Sequence, residues 1–153
     1  MEVIKSIKIK VPGNLQALDR VLNEFNCIYQ NFISLRDWLQ CRLALAEGFT
    51  NAVRHAHKNL PSNLPIIIDV VLQQATIEIR IWDYGDAFDL KTFIAENAQK
   101  NNNWLNSGRG IPILNQISDR LDYYRQGQKN CLLIVKNFSR DQSNRISRIP
   151  HQI

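Results

Sequence analysis

Apolar and polar residues alternate along several short stretches, the pattern of strands that bury one face. Apolar and polar residues alternate over 6–11 within the stretch 3–11 and over 76–81 within the stretch 76–83, whereas residues 66–72 are apolar almost throughout. Near the C-terminal end, turn-forming residues that include Gly127 separate two further strand candidates, over 120–125 and 131–137. The pattern predicts five strands, over residues 3–11, 66–72, 76–83, 120–125 and 131–137.

Apolar residues at helical spacing predict three helices, from Leu15 to about Tyr29, from about Ser34 to Lys58, and from Ile111 to about Ser118. A weaker pattern of the same kind covers Leu90–Ala98. Asn14 is placed to cap the first helix. The apolar residues of the long helix include Leu35, Leu39, Leu43, Ala46, Phe49 and Val53.

A strand at the front and two later hairpins favour one mixed, mainly antiparallel sheet, with the helices covering one of its faces. The predicted fold class is therefore α+β, a two-layer α/β sandwich. We expect one domain over residues 1–138 and a basic, polar C-terminal tail over 139–153, which contains Arg140, Arg145 and Arg148.

Composition narrows the class of protein. The chain is 44% hydrophobic, as expected of a globular domain, and has no apolar run of about 18 residues that would span a membrane. The N-terminus lacks a secretory signal pattern, so we expect a cytoplasmic location. Cys27, Cys41 and Cys131 are far apart, which favours reduced and mostly buried thiols over a zinc site.

The net charge of +5 leaves several partners open. A moderate basic excess suits nucleic acid, nucleotide phosphates or an acidic protein equally well.

Glu47 and Asn51 are the first candidates for chemistry. Four residues apart on the long helix, they lie one turn from each other on the same face. An amide oxygen can ligate Mg²⁺, and a carboxylate can order a water or accept a proton. Taken alone, the pair is more typical of a solvated polar stripe on a surface helix, since polar faces are the default there.

Two further motifs follow in the sequence. Asp83 and Gly85 stand at the end of a predicted strand, and Gly108-Arg109-Gly110 precedes a predicted helix. A buried carboxylate can select a ligand with an amino donor, and glycines let backbone N–H groups converge on a phosphate. Each motif alone is also a common turn.

The three motifs in this order resemble the ATP-binding domain of the GHKL superfamily, over about Ile4 to Phe138. The segment Glu47-x-x-x-Asn51-Ala-x-x-His55-Ala is most similar to the anti-sigma-factor serine kinases of bacteria.

The resemblance implies ATP and Mg²⁺ as cofactors and assigns roles to the motif residues. Asp83 would accept a hydrogen bond from the adenine amino group, and Gly85 would let the base approach the backbone. Gly108, Arg109 and Gly110 would bind phosphates, Asn51 would bind nucleotide and Mg²⁺, and Glu47 would be the catalytic base. The segment between Asp83 and Gly108 would form a lid, with the Asn-rich stretch 99–106 ordering over nucleotide.

The resemblance also implies partners. The chain would sequester a sigma factor, phosphorylate a serine of an antagonist protein and form a homodimer, without binding nucleic acid directly.

Three alternatives stay open: an ATP-switched binding module without kinase activity, a detached histidine-kinase catalytic domain, and a basic nucleic-acid-binding domain. Ala87 replaces a glycine that the family often has, which puts turnover in more doubt than binding. We expect His55 to pack or cap near the site and His57 to lie at the exposed end of the helix.

Overall fold

The computed structural model describes residues 2–61, 63–87, 95 and 110–139, without the side chains of His55 and Ala56. Gly108, Arg109, the stretch 99–106 and the tail from residue 140 lie outside the described residues, as does the predicted helix over 90–98 except for Ala95.

Three helices and five strands make up the described fold. The helices are α1 (Leu18–Asn26), preceded by a 3-10 turn (Leu15–Ala17), α2 (Leu35–Asn51), which continues into a π-helical turn (Ala52–Ala56), and α3 (Gly110–Ile117). The strands are β1 (Val3–Pro12), β2 (Pro65–Gln73), β3 (Thr76–Asp83), β4 (Arg120–Gln126) and β5 (Lys129–Asn137).

The strands form one sheet in the order β1-β2-β3-β5-β4. Every neighbouring pair is antiparallel, so the described sheet contains none of the parallel pairing that a mixed sheet would have. β2 and β3 form the first hairpin, and β4 and β5 form the second, with Gly127 at a φ of +63° in its turn. β1 lies at one edge of the sheet, and the α+β two-layer fold is confirmed.

The core lies between the sheet and the helices. Alternate residues of β2 and β3 are buried, and they pack in one cluster with Phe25 of α1, Leu45 of α2 and Leu114 of α3. Gly48 brings α2 close to the sheet, because a Cβ at this position would lie 2.5 Å from the Ile81 Cδ1. Alternation on the strands therefore puts one face of the sheet against the helices.

The buried face of α2 is not the one that its leucines suggest. Leu35, Leu39 and Leu43 are exposed, whereas Trp38, Cys41, Leu45 and Phe49 are buried. Cys41, Leu45 and Phe49 have the same four-residue spacing as the three leucines, so this spacing alone does not determine which of the two rows meets the sheet.

Two smaller expectations are wrong. The Asn14 side chain makes no capping hydrogen bond, whereas the Ser34 hydroxyl caps α2 by accepting a hydrogen bond from the Asp37 N–H. Cys27 is exposed, near the end of α1, while Cys41 and Cys131 are buried as expected. In the part of the chain that the structure describes, no helix is both long and apolar enough to cross a membrane.

Candidate functional site

Asp83 is a buried carboxylate at the end of β3. It continues the inward-facing series of Ile77, Ile79 and Ile81 and is 3% exposed. Its Oδ1 accepts hydrogen bonds from the Gly85 N–H, at 2.8 Å, and from the Asn130 side-chain amide, at 3.0 Å. A buried charge requires such donors, since an unpaired carboxylate in the core costs several kcal/mol.

Tyr123 approaches the same carboxylate from β4. Its hydroxyl donates to the Asp83 Oδ2 over 3.2 Å. Burial raises the pKa of Tyr123, and the negative charge of Asp83 and this hydrogen bond raise it further. The Tyr123 phenol therefore stays protonated at neutral pH and donates a hydrogen bond to Asp83.

Asn130 links Asp83 to the loop that follows β3. It is fully buried on β5, opposite Asp83. Besides Asp83, its amide group donates to the Gly85 carbonyl at 2.8 Å and to the Asp86 carbonyl at 3.1 Å. Arg125 donates both to the Asn130 Oδ1 and to the Gly85 carbonyl, each over 3.1 Å. Residues 83–86 are thus held by three side chains from the β4–β5 hairpin, those of Tyr123, Arg125 and Asn130.

Asn130 is not among the site residues that the sequence motifs predict. The available signal is its position: it is a polar residue immediately before the apolar run of β5, and it follows the Gly127 turn. Two residues of turn and the antiparallel register bring it opposite the end of β3, next to Asp83.

Gly85 is buried at the centre of this network. Its N–H donates to Asp83, and its carbonyl accepts from Asn130 and Arg125. Ala87, where the family often has a second glycine, is exposed.

Glu47 lies where α2 meets α3. It is partly exposed, and a Cβ on Gly110 would stand 3.0 Å from its Oε2. A larger residue at position 110 would have to push this carboxylate aside. Glycine therefore lets the backbone of α3 approach Glu47, and the structure brings these two predicted site residues together.

Asn51 is the last residue of α2 and is also partly exposed. It stands one turn beyond Glu47, and the helix widens into the π-helical turn directly after it. Within the described residues, no cluster of three or more His, Cys, Asp or Glu side chains could hold a metal ion. A metal ion at this site would thus be bound by Asn51 together with ligands other than a cluster of His, Cys, Asp or Glu side chains.

His57 is buried, not exposed as its place at the end of the helix suggests. It is 4% exposed, and its Nε2 accepts a hydrogen bond of 2.9 Å from the Tyr84 N–H. The π-helical turn carries it inward, since its own N–H bonds to the Ala52 carbonyl five residues earlier. The segment that follows Asn51 thereby contacts the segment that contains Asp83.

Comparisons with known proteins identify the family of the chain. A family model described as the histidine kinase-like ATPase domain matches residues 11–136. Among characterised relatives, the serine-protein kinases RsbW of Staphylococcus aureus strains bovine RF122 / ET3-1 and MRSA252 are 25% identical to this chain over 127 residues. The alignment covers 78% of this chain and 79% of each relative.

Proposed function

Because the chain belongs to the histidine kinase-like ATPase family, we propose that it binds Mg-ATP and phosphorylates a serine of an antagonist protein. The observation that carries the nucleotide part is the buried carboxylate of Asp83 at the end of β3, held by Asn130 and Tyr123. The relatives are named serine-protein kinases, which supports the transfer to serine.

Asp83 would recognise the base. Its Oδ2 accepts one described hydrogen bond, the 3.2 Å bond from Tyr123, and a carboxylate oxygen has lone pairs for two. An exocyclic amino group is a donor that fits the remaining position. Guanine presents an acceptor where adenine presents this donor, so the pocket would select ATP over GTP.

Gly85 would border the base. Its backbone is fixed by hydrogen bonds at both its N–H and its carbonyl, so its position does not depend on the ligand. A site that is preorganised in this way loses less conformational entropy when it binds.

The α2–α3 contact would face the phosphates. Asn51 offers an amide oxygen at the end of α2, and Mg²⁺ typically takes one or two protein oxygens while keeping waters and phosphate ligands. The residues present fit such an ion. Gly110, with Gly108 and Arg109 before it, would bind phosphate oxygens, and the absence of a side chain at Gly110 keeps its backbone accessible beside Glu47.

Glu47 would be the general base. Mg-ATP, when bound, supplies the phosphoryl group, and the ion offsets its negative charge. Glu47 would hold the incoming serine hydroxyl and take its proton, while Asn51 would orient the ion. The close approach of Gly110 limits the positions open to the Glu47 carboxylate, which favours a fixed base.

The partners, the assembly and the setting rest on the resemblance to anti-sigma-factor kinases. We propose that the target is a sigma factor, that the chain forms a homodimer and that it acts in the cytoplasm. The kinase domain would cover residues 1–138 and the basic tail 139–153. The described structure continues to Ser139, whose N–H and hydroxyl both donate to the buried Asp37.

An ATP-switched binding module without kinase activity is the second candidate. Ala87 favours it, because alanine in place of glycine restricts the backbone at the start of the segment that would close over nucleotide.

A paired titration and kinase assay separates the two. The candidate substrates are bacterial anti-sigma-factor antagonist proteins, the partner class that the resemblance implies. With Glu47→Gln, Mg-ATP affinity stays within about twofold and phosphoryl transfer falls about 10²–10⁴-fold, the usual contribution of a positioned base. Asn51→Ala lowers both, since it removes a metal ligand.

Glu24→Gln is the matched control, because Glu24 lies on α1 in an exposed ion pair with Arg20. Its transfer rate equals that of the wild type. Transfer at the wild-type rate by Glu47→Gln removes Glu47 from the mechanism. Nucleotide binding without transfer to any of these proteins makes the binding module the better function.

A further inference from the structure

His57 is a buried titratable side chain to which the proposed mechanism gives no role. It follows the π-helical turn Ala52–Ala56, and only 4% of its surface is exposed. The lysine after it and the asparagine after that are exposed, so the chain turns His57 inward at this one position. Its placement is therefore a property of the turn and not of a continuous apolar face.

The hydrogen bond from Tyr84 fixes the protonation of the imidazole. Nε2 accepts the Tyr84 N–H at 2.9 Å, so it carries no proton. In a neutral histidine the proton then lies on Nδ1. Nδ1 is buried and has no hydrogen-bond partner among the described residues. His57 is thus held by one nitrogen, and that nitrogen is an acceptor only while the ring is neutral.

The turn after β1 closes over the other side of the ring. A Cβ at Gly13 would stand 2.8 Å from the His57 Nδ1 and 3.2 Å from the Leu64 carbonyl oxygen. Only glycine fits between them without a shift. The backbone at Gly13 therefore lies close against the Nδ1 side of the ring.

Tyr84 lies between the two residues that would recognise adenine. The N–H groups of Tyr84 and Gly85 point to different acceptors, the first to His57 and the second to Asp83. The Tyr84 ring also meets the imidazole edge to face, at 6.3 Å between ring centres. The backbone amides of Tyr84 and Gly85 are therefore each held by a buried side chain. Asp83 holds the Gly85 amide, and His57, from the segment that follows α2, holds the Tyr84 amide.

We propose that His57 is a positioning residue for nucleotide recognition: its neutral imidazole holds the Tyr84 amide and keeps Asp83 and Gly85 in the orientation that receives the base. Protonation of the ring removes the acceptor and releases Tyr84. This inference rests on the proposed nucleotide function and names a residue on which the specificity of that site depends.

The charges around the ring set the direction of the pH effect. Burial lowers the pKa of His57 from its ordinary value of 6.5, and the negative charge of Asp83 partly opposes this. Among the described residues, the Tyr84 ring and the backbone at Gly13 also lie against the imidazole. The imidazole is therefore neutral in the folded protein above pH 6.5 and gains a proton only as the pH falls below that value.

Calorimetric titration with Mg-ATP at pH 7.5 and pH 5.5 tests the inference on three proteins. His57→Gln places an amide oxygen near the position of Nε2, so it keeps an acceptor that does not titrate. His57→Leu keeps the bulk and removes the acceptor. ATP itself titrates in this range, so each pH effect is read as a ratio to His57→Gln. His151→Gln is the control for loss of a histidine elsewhere.

The wild type and His57→Gln bind alike at pH 7.5, and any loss at pH 5.5 beyond that of His57→Gln belongs to the proteins that keep His57. His57→Leu binds about fivefold more weakly at pH 7.5, the factor that corresponds to one net hydrogen bond, and shows no further loss relative to His57→Gln at pH 5.5. His151→Gln behaves as the wild type. Full affinity of His57→Leu at pH 7.5, or binding by His57→Gln as weak as that of His57→Leu, overturns the role of His57.

A second measurement does not require nucleotide. Nitrogen NMR of the His57 ring at pH 7.5 shows the tautomer with its proton on Nδ1, and a ring protonated on Nε2 overturns the inference. Unfolding midpoints of the variants verify that each is folded at both pH values. A wild type that binds no ATP overturns the proposed function together with this inference, whereas ATP binding that ignores His57 overturns the inference alone.

Discussion

Asn130 and Asp83 stand opposite each other on β5 and β3, and the Asn130 Nδ2 donates a hydrogen bond of 3.0 Å to the Asp83 Oδ1. The same amide group also bonds to the carbonyls of Gly85 and Asp86. One buried side chain therefore fixes both the carboxylate that we propose for adenine recognition and the backbone that follows it.

Replacement of Asn130 should affect both stability and nucleotide binding. Asn130→Ala removes one of the described donors to Asp83 and to the Gly85 carbonyl, and it removes the described donor to the Asp86 carbonyl, so we expect the free energy of unfolding to fall by about 1–3 kcal/mol. Mg-ATP affinity falls as well, because residues 83–86 lose their anchor. Urea denaturation and calorimetry measure the two effects.

Asn137→Ala is the control for that prediction, since Asn137 is exposed at the end of the same strand. It should change stability by less than about 0.5 kcal/mol and leave ATP affinity unchanged. Equal stability and affinity for Asn130→Ala and the wild type would remove Asn130 from the site.

Two leucines of α2 should differ sharply in their contribution to stability. Leu45 is fully buried and Leu39 is 47% exposed. Leu45→Ala leaves a cavity and lowers the free energy of unfolding by about 2–5 kcal/mol, whereas Leu39→Ala changes it by less than about 0.5 kcal/mol. Urea denaturation of both variants checks this. Similar losses from the two would mean that Leu39 is buried in the folded protein.

The three cysteines should react at different rates. Burial raises the pKa of the Cys41 thiol to about 12 and also raises that of Cys131, whereas Cys27 is exposed. Iodoacetamide at pH 8 should label Cys27 alone in the folded protein and all three cysteines in guanidinium chloride. Peptide mass spectrometry identifies the labelled sites. Rapid labelling of Cys41 without denaturant is incompatible with its position in the core.

Local pattern was enough to predict the strands and to place Asp83. Each predicted strand exists. In β3 the alternation of Ile77, Ile79 and Ile81 specifies both the strand and its buried face. Asp83 continues that series, so its inward direction follows from the same two-residue period. The fold class followed from the order of these elements.

Contacts between distant segments could not be predicted in this way. His57 is buried because a π-helical turn redirects the chain, and no helical periodicity contains that information. Asn130 reaches Asp83 through the register of β3 and β5, which depends on how the two hairpins pair. The prediction that the leucines of α2 mark its buried face was wrong for a related reason, since apolar character alone does not determine which face of a helix meets the sheet.

Adenine selectivity is the property that we propose for the site at Asp83. The most direct measurement is calorimetry of the wild type and Asp83→Asn with Mg-ATP and Mg-GTP at pH 7.5. We predict that the wild type binds ATP and not GTP, and that Asp83→Asn weakens ATP binding by about tenfold or more, because the amide presents a donor where an acceptor is required. Equal binding of both nucleotides by the wild type, or unchanged ATP affinity of Asp83→Asn, would contradict it.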